Sequence, residues 1–110
     1  MFPLKDKVVA ITGASSGIGK ALALTAVQLG AKVAVCARNE QRLKEGFDNS
    51  NIFCVGADVS KEDDCKRFID ATIAQWGRVD VLINNAGISM RALFEDVAAV
   101  FFDADNDGDA

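Results

Sequence analysis

The stretch TGASSGIG, residues 12–19, lies between two segments of different periodicity and determines the first turn of the fold. Residues 8–11 (VVAI) before it form a short, continuously apolar run, which predicts a strand buried on both faces of a sheet. Residues 18–29 after it suit a packed helix, and Gly30 would end that helix. The stretch therefore predicts a strand, a glycine-rich turn and a helix in direct succession.

The three glycines of this turn have separate physical roles. Gly13 permits a tight turn, Gly17 lets the backbone approach a pyrophosphate, and Gly19 lets the helix pack closely on the sheet. The first N–H groups of the helix and its positive dipole end would then face the phosphates. A plain strand-to-helix turn is the alternative, but this glycine spacing between a strand and a helix favours a phosphate site.

The alternation of strand and helix continues along the chain. Three further apolar runs predict strands at residues 32–37, 51–57 and 79–83. Asn39 can cap a short helix after the second run. Ser60 and Asp63 resemble a capping box before a longer helix, which Gly77 would end. Strands that alternate with helices in this way predict an α/β fold with a parallel sheet, in the element order β-α-β-α-β-α-β.

Two motifs in combination resemble the short-chain dehydrogenase/reductase family: the TGxxxGxG turn and Asn84-Asn85-Ala86-Gly87 at the end of the fourth run. The resemblance covers roughly residues 5–94. It implies a partial Rossmann-like, doubly wound parallel sheet in the order 3-2-1-4, truncated after the fourth strand. Residues 1–94 would then form a dinucleotide-binding half-domain, followed by a separate acidic tail at residues 95–110.

The same resemblance assigns cofactor contacts to the ends of successive strands. The cofactor loop would comprise Gly13, Ser15, Ser16, Gly17, Ile18 and Gly19. Asp58 and Val59 match the pair that holds the adenine ring. Asn85, with Ala86 and Gly87, matches the element that meets the nicotinamide ribose. Singly, Asp58 could start a plain turn and Asn85 could lie in a loop without a ligand, but together they indicate a site at the carboxyl ends of neighbouring strands.

The end of the second run indicates which dinucleotide would bind. An NAD-specific site usually has a carboxylate there, which accepts hydrogen bonds from the ribose 2′-hydroxyl. Here Ala37 is followed by Arg38 and Asn39. A guanidinium can bind a 2′-phosphate with two charge-assisted hydrogen bonds, so Arg38, with Asn39 beside it, favours NADP(H) over NAD. An ordinary surface arginine is the alternative, and Ser16 stands where many NADP-preferring relatives have a basic residue.

The chemistry that the resemblance implies is NADP(H)-dependent interconversion of an alcohol and a carbonyl by hydride transfer. Members of the family use a Ser, a Tyr and a Lys, the last two spaced as YxxxK, with an Asn on an earlier helix. The chain has no tyrosine, and none of the four residues has a match in it, so we expect it to be catalytically incomplete. A non-catalytic dinucleotide-binding or interaction module is the alternative function.

Charge, hydropathy and cysteine content argue against several other classes of function. The net charge is −4, but residues 95–110 hold six of the 16 acidic residues and no Lys or Arg. The rest has no basic stripe, which argues against nucleic-acid binding. No apolar run approaches the ~20 residues of a membrane span, so a cytoplasmic location is expected. Cys36, Cys54 and Cys65 lack CxxC spacing and the chain has no histidine; no metal site is expected, and Cys36 and Cys54 are predicted to be buried free thiols.

Residues 95–110 differ abruptly in character from the rest. Asp103, Asp105, Asp107 and Gly108 resemble the opening of a calcium loop that lacks the later ligand of an EF-hand. The run at residues 97–102 before them resembles a strand entering such a loop in an FG-GAP/VCBS repeat, and a disordered acidic end is the simpler interpretation. A fragmentary or fused gene product is a further hypothesis. In a sheet truncated here, the fourth strand would be an exposed apolar edge open to self-association.

Overall fold

The computed structural model describes residues 4–13, 17–47 and 52–84 in full, together with the backbone of residues 97–102. Strands and helices alternate along the chain up to the fourth strand. In chain order the elements are β1 (Val8–Thr12), α1 (Gly17–Gln28), β2 (Lys32–Ala37), α2 (Glu40–Gly46), β3 (Ile52–Gly56), α3 (Glu62–Trp76), β4 (Val79–Asn84) and β5 (Val97–Phe102). The predicted α/β alternation is confirmed, with element ends within one residue of those read from the sequence for β1, β2, β3 and β4.

All five strands belong to one parallel sheet in the order β3-β2-β1-β4-β5. The predicted Rossmann-like order 3-2-1-4 is therefore confirmed. In the register, Thr12 pairs with Cys36 of β2 on one side and with Asn84 of β4 on the other, and Ala37 pairs with Gly56 of β3. The carboxyl ends of four strands consequently lie along one edge of the sheet.

The expectation that the sheet is truncated after its fourth strand is wrong. Residues 97–102 form β5, which is paired along the outer side of β4 from Val79↔Val97 to Asn84↔Phe102. The fourth strand is therefore not an exposed edge, and the proposed self-association through it loses its basis. The physical reason is that the run VAAVFF is uninterrupted by charge, although acidic residues lie on both sides of it. A disordered tail is thus wrong for residues 97–102, while the Asp103, Asp105, Asp107 loop lies outside the described residues.

The two faces of the sheet have separate hydrophobic cores, as a doubly wound fold requires. Helices α1 and α2 cover one face, whose buried core is Val9, Ile11, Ala23, Ala26, Ala31, Val33, Val35, Leu43, Phe47 and Ile52. Helix α3 covers the other, whose buried core is Ala10, Ala34, Cys36, Val55, Ala57, Cys65, Phe68, Ile69, Val79 and Leu82. Alternate residues of one strand, such as Val33 and Ala34, belong to opposite cores because successive side chains of a strand point to opposite faces.

Helix α1 packs through its small residues rather than its large ones. Its buried positions are Gly19, Ala23 and Ala26, which recur at helical spacing and let the helix approach the sheet closely. The large apolar residues that we expected to pack are instead exposed: Ile18, Leu22, Leu24 and Leu29. The prediction of an apolar helix is confirmed, but periodicity did not single out the buried side, because the helix is apolar on more than one side.

The helix ends follow three of the four predicted signals. Gly30 (φ 91°) follows α1, and the Asn39 side chain accepts a hydrogen bond from the Arg42 N–H at the start of α2. Gly77 (φ 87°) ends α3 in the left-handed conformation. The capping box at Ser60 is wrong: α3 has Lys61 at its N-cap with no side-chain cap, because the Ser60 N–H and hydroxyl both donate to Asp58 Oδ1.

Candidate cofactor site at the carboxyl edge of the sheet

The sheet brings the predicted site residues to one edge. Gly13 follows the end of β1, Arg38 follows the end of β2, and Asp58 lies two residues beyond the end of β3. Neighbouring strands are in parallel register at these ends, so the three residues extend from adjacent positions. Ligands of open α/β sheets bind at this edge, outside the carboxyl ends of the strands. Ser15, Ser16, Asn85, Ala86 and Gly87 complete the predicted set, but they lie outside the described residues.

The glycine-rich turn has the backbone geometry that glycine alone adopts readily. Gly13 and Gly17 both have φ near +64°, in the left-handed region. A Cβ added at Gly17 would meet no heavy atom of the described residues within 4 Å, so the backbone at the start of α1 faces open space. Ile18 beside it is 52% exposed, and Gly19 is buried against the sheet. The close packing predicted at Gly19 is confirmed, and the open space at Gly17 leaves room for the predicted approach of a pyrophosphate, which stays a prediction.

A buried hydrogen bond joins the two strands that flank the glycine turn. The Thr12 hydroxyl donates to Asn84 Oδ1 at 3.1 Å, and both residues are fully buried. The pair connects the last residue of β1 to the last residue of β4, one residue before each loop of the site begins. Sequence reasoning had placed Thr12 and Asn84 in separate motifs, and their pairing appears only once the strand register is known.

Arg38 and Asp58 follow the ends of β2 and β3, which are paired next to each other in the sheet. The pKa of Asp58 is lowered chiefly by the hydrogen bonds from the Ser60 hydroxyl (2.6 Å) and the Ser60 N–H (3.0 Å), with a smaller contribution from the positive charge of Arg38. Arg38 is exposed, which leaves its guanidinium accessible. Asn39, predicted as a further cofactor contact, has its side-chain oxygen bonded to the Arg42 N–H at 3.0 Å. That oxygen caps α2.

The loop after β3 is hydrogen-bonded to the first turn of α3 at two points. The Asp58 N–H donates to Asp64 Oδ2 at 2.8 Å, which ties the predicted adenine contact to the first turn of α3. Val59, half-buried, packs against the core beneath α3, and its carbonyl accepts a hydrogen bond from the Cys65 thiol at 3.2 Å. Sequence reasoning did not assign Asp64 to the site, because acidic residues in the first turn of a helix are already accounted for by the helix dipole.

Two charged side chains contact the backbone N–H and carbonyl of Gly56 at the end of β3. Its N–H donates to Glu40 Oε1 at 2.9 Å, and its carbonyl accepts a hydrogen bond from Arg67 Nη2 at 2.7 Å. Glu40 begins α2 and Arg67 lies on α3, so the helices of the two faces are connected through one glycine. Neither side chain was predicted as part of the site.

The thiols are structural in this arrangement. All three cysteines are free, as predicted. Burial raises the pKa of the Cys36 thiol to about 12, with the neighbouring Cys65 as a second cause, so Cys36 remains protonated at neutral pH. Cys54 is only half-buried, which corrects the expectation that it would be buried with Cys36. No group of three or more His, Cys, Asp or Glu among the described residues is arranged to hold a metal ion.

Comparison with known proteins identifies the fold. The family model described as "short chain dehydrogenase" matches residues 7–104. This chain belongs to the short-chain dehydrogenase family. The match runs through β5 and beyond the expected limit near residue 94, so the fifth strand lies within the part of the chain that the family model covers.

Plant members of the short-chain dehydrogenase family are similar in sequence. The chain is 47% identical over 100 residues to 11-beta-hydroxysteroid dehydrogenase 1A of Arabidopsis thaliana, covering 86% of this chain and 29% of that protein. It is 45% identical over 101 residues to 11-beta-hydroxysteroid dehydrogenase of Pinus massoniana, covering 86% and 28%. The chain therefore spans less than a third of the length of these relatives.

Solved structures of family members have the same fold. A 3-ketoacyl-(acyl-carrier-protein) reductase from Brucella melitensis, complexed with NADH, superposes with a TM-score of 0.72 at 38% identity, covering 77% of this chain and 36% of that one. A short-chain dehydrogenase/reductase from Burkholderia phymatum, in complex with NAD, gives 0.73 at 34% identity, covering 80% and 33%. In the part of this chain that the structure describes, no helix is long and apolar enough to cross a membrane.

Proposed function

We propose that this chain is the NADP(H)-binding part of a short-chain dehydrogenase/reductase that interconverts an alcohol and a carbonyl. The observation that carries the proposal is the carboxyl edge of the sheet, where the glycine turn, Arg38 and Asp58 extend from adjacent strands. The solved relatives in complex with NADH and with NAD support a nicotinamide dinucleotide as the ligand class.

Arg38 supports the choice of NADP(H) over NAD. The end of β2 has Ala37 in place of a carboxylate that would repel a 2′-phosphate, and the next residue supplies an exposed guanidinium. Such a group can donate two charge-assisted hydrogen bonds to a phosphate. The relatives with bound dinucleotide contain NADH and NAD, so this selectivity rests on Arg38 itself.

The role of the chain in hydride transfer is binding and orientation. The dinucleotide would supply the hydride, while the residues at the sheet edge would fix its position. The sequence has no tyrosine and no match to the YxxxK pair of the family, so we propose that these 110 residues alone do not turn over substrate. A cytoplasmic location stays a prediction from the sequence.

Calorimetric titration of the purified chain with NADP⁺ and with NAD⁺ tests the proposal. We expect NADP⁺ to bind more tightly, and Arg38→Ala to weaken NADP⁺ binding by about tenfold or more while changing NAD⁺ binding little, because a hydrogen bond to a charged group contributes about 1.5–3 kcal/mol. Arg42→Ala is the matched control, since this exposed arginine lies on the neighbouring helix. Equal loss in the two variants would attribute the effect to general charge, and binding of neither dinucleotide by a folded chain would refute the proposal.

A further inference from the structure

The end of β3 is connected to both faces of the sheet through the peptide of Gly56. Its N–H is bonded to Glu40 of α2 and its carbonyl to Arg67 of α3. Arg67 also lies 3.7 Å from Asp64 Oδ1, and Asp64 Oδ2 accepts the N–H of Asp58. A chain of contacts therefore runs from the first residue of α2, through the end of β3, to Asp58.

Glu40 approaches the backbone of β3 so closely that the contact requires glycine at position 56. A Cβ at Gly56 would lie 2.8 Å from Glu40 Cβ, nearer than nonbonded carbons approach, so only glycine allows this distance. The second carboxylate oxygen of Glu40 bridges to Lys44 Nζ at 3.2 Å, one turn along α2. The pKa of Glu40 is lowered, chiefly by the Gly56 N–H and then by Lys44, so the carboxylate is ionised at neutral pH.

Glu40 also fixes one end of the Arg38–Asn39 segment, which is proposed to contact the ribose of the dinucleotide. Arg38 and Asn39 are the only residues between the end of β2 and the start of α2, and Asn39 is itself bonded into the first turn of that helix. The Ala57 N–H donates to the Ala37 carbonyl at 2.9 Å, which sets the end of β3 against the end of β2. Both ends of the Arg38–Asn39 segment are therefore fixed to β3, which restricts the backbone position from which the Arg38 side chain extends.

We propose that Glu40 is a positioning residue for dinucleotide selectivity: by bonding the Gly56 N–H, it holds the start of α2 so that Arg38 is placed for a 2′-phosphate. Glu40 does not contact the dinucleotide in this proposal, which rests on the proposed function. The 2′-phosphate distinguishes NADP(H) from NAD(H), so the effect of Glu40 falls on the ratio of the two affinities. General loosening of the fold would weaken both ligands together.

Three variants of the whole chain separate this role from charge and from stability. Glu40→Ala removes the hydrogen bond, and we expect it to reduce the NADP⁺ preference, the ratio of the two dissociation constants, on the order of threefold or more. Glu40→Gln keeps an oxygen acceptor without the charge, and we expect it to retain most of the preference. Glu45→Ala, an exposed glutamate on the same helix, is the control and should leave the preference unchanged.

A double-mutant cycle with Arg38→Ala gives the decisive measurement. If Glu40 acts through Arg38, Glu40→Ala should change the preference by less than about twofold once Arg38 is absent, because coupled residues are not additive. An undiminished effect in that background, a higher NADP⁺ affinity in Glu40→Gln, or an unchanged preference in Glu40→Ala would each overturn the proposal. Absence of any NADP⁺ preference in the unmodified chain would instead refute the proposed function, and with it the role of Glu40.

Discussion

The hydroxyl of Thr12 and the side-chain oxygen of Asn84 are joined by a 3.1 Å hydrogen bond between residues 72 positions apart, both fully buried. We predict that Thr12→Val, which exchanges the hydroxyl for a methyl group of similar size, lowers the free energy of unfolding by about 1–2 kcal/mol because this buried bond is lost. Urea unfolding measures the change. Thr25→Val on the exposed side of α1 is the control, and equal midpoints for the two variants would contradict the prediction.

We expect that any residue larger than glycine at position 56 destabilises the fold. We predict that Gly56→Ala lowers the free energy of unfolding by about 1–3 kcal/mol, because its Cβ would lie 2.8 Å from Glu40 Cβ and must displace it. Gly46→Ala provides the comparison: its Cβ would have only the flexible end of Lys20 nearby, at 3.8 Å, so we expect no loss of stability. Thermal unfolding followed by circular dichroism distinguishes the two, and similar melting temperatures would show that the close approach relaxes without cost.

Gly17 and Gly77 form a matched pair for testing the cofactor loop. Both have positive φ, and at both a Cβ would meet no heavy atom of the described residues within 4 Å. Alanine at either position should cost about 1–2 kcal/mol of stability through backbone strain alone. Only Gly17→Ala should also abolish dinucleotide binding, because its Cβ would occupy the space proposed for the pyrophosphate. Calorimetric titration of both variants checks this, and unimpaired binding by Gly17→Ala would exclude the glycine turn as the phosphate site.

The thiol of Cys36 gives the chain a specific dependence on alkaline pH. Burial raises its pKa from 9.0 to about 12, so between these values the folded state holds a proton that the unfolded state has released. Stability from this group is therefore fully present below pH 9.0 and falls as pH rises, by about 1.4 kcal/mol per unit at most. We predict that the free energy of unfolding declines less steeply above pH 9.0 in Cys36→Ala than in the unmodified chain.

Chemical denaturation at a series of alkaline pH values measures this slope. The comparison is favourable because the chain has no tyrosine whose titration would overlap, and lysine and arginine residues are common to both proteins. Cys36→Ala will itself lower stability by removing a buried side chain, so the slopes, rather than the absolute values, carry the test. Parallel slopes would show that Cys36 does not set the alkaline response.

The strands and the glycine turn could be predicted because their signals are local. Residues 32–37 form β2 as expected from an uninterrupted apolar run, and the glycine-rich stretch follows a strand and leads into a helix as predicted, with positive φ at Gly13 and Gly17. The packing face of α1 could not be predicted, since the exposed Ile18 and Leu22 are more apolar than the buried Ala23. Which side faces the sheet depends on how closely the backbone approaches it, and periodicity does not report that distance.

The contacts around the site escaped prediction because they join residues distant in sequence. Glu40 and Arg67 are ordinary helix-surface residues until α2 and α3 are placed on opposite faces of β3. Ser60 was predicted to cap α3, but its hydroxyl donates to the carboxylate of Asp58, two residues earlier, and so does not cap the helix. Short polar side chains often form such local hydrogen bonds in place of a helix cap. The strand at residues 97–102 was not predicted as part of the sheet, because the acidic residues on both sides of it dominate the composition of residues 95–110.

β1 is paired on both of its edges, with β2 and with β4, and all five of its residues are buried. Partial opening of a sheet starts at its outer strands. Loss of β3 or of β5 would still leave β1 in the middle of three paired strands, so the amides at the base of the glycine turn should be among the slowest to exchange with solvent. Arg38 and Asp58 follow strands nearer the outer edge. In the proposed function, recognition of the phosphates common to both dinucleotides would thereby depend on the most persistent strand, and discrimination between them on a part of the sheet that opens more readily.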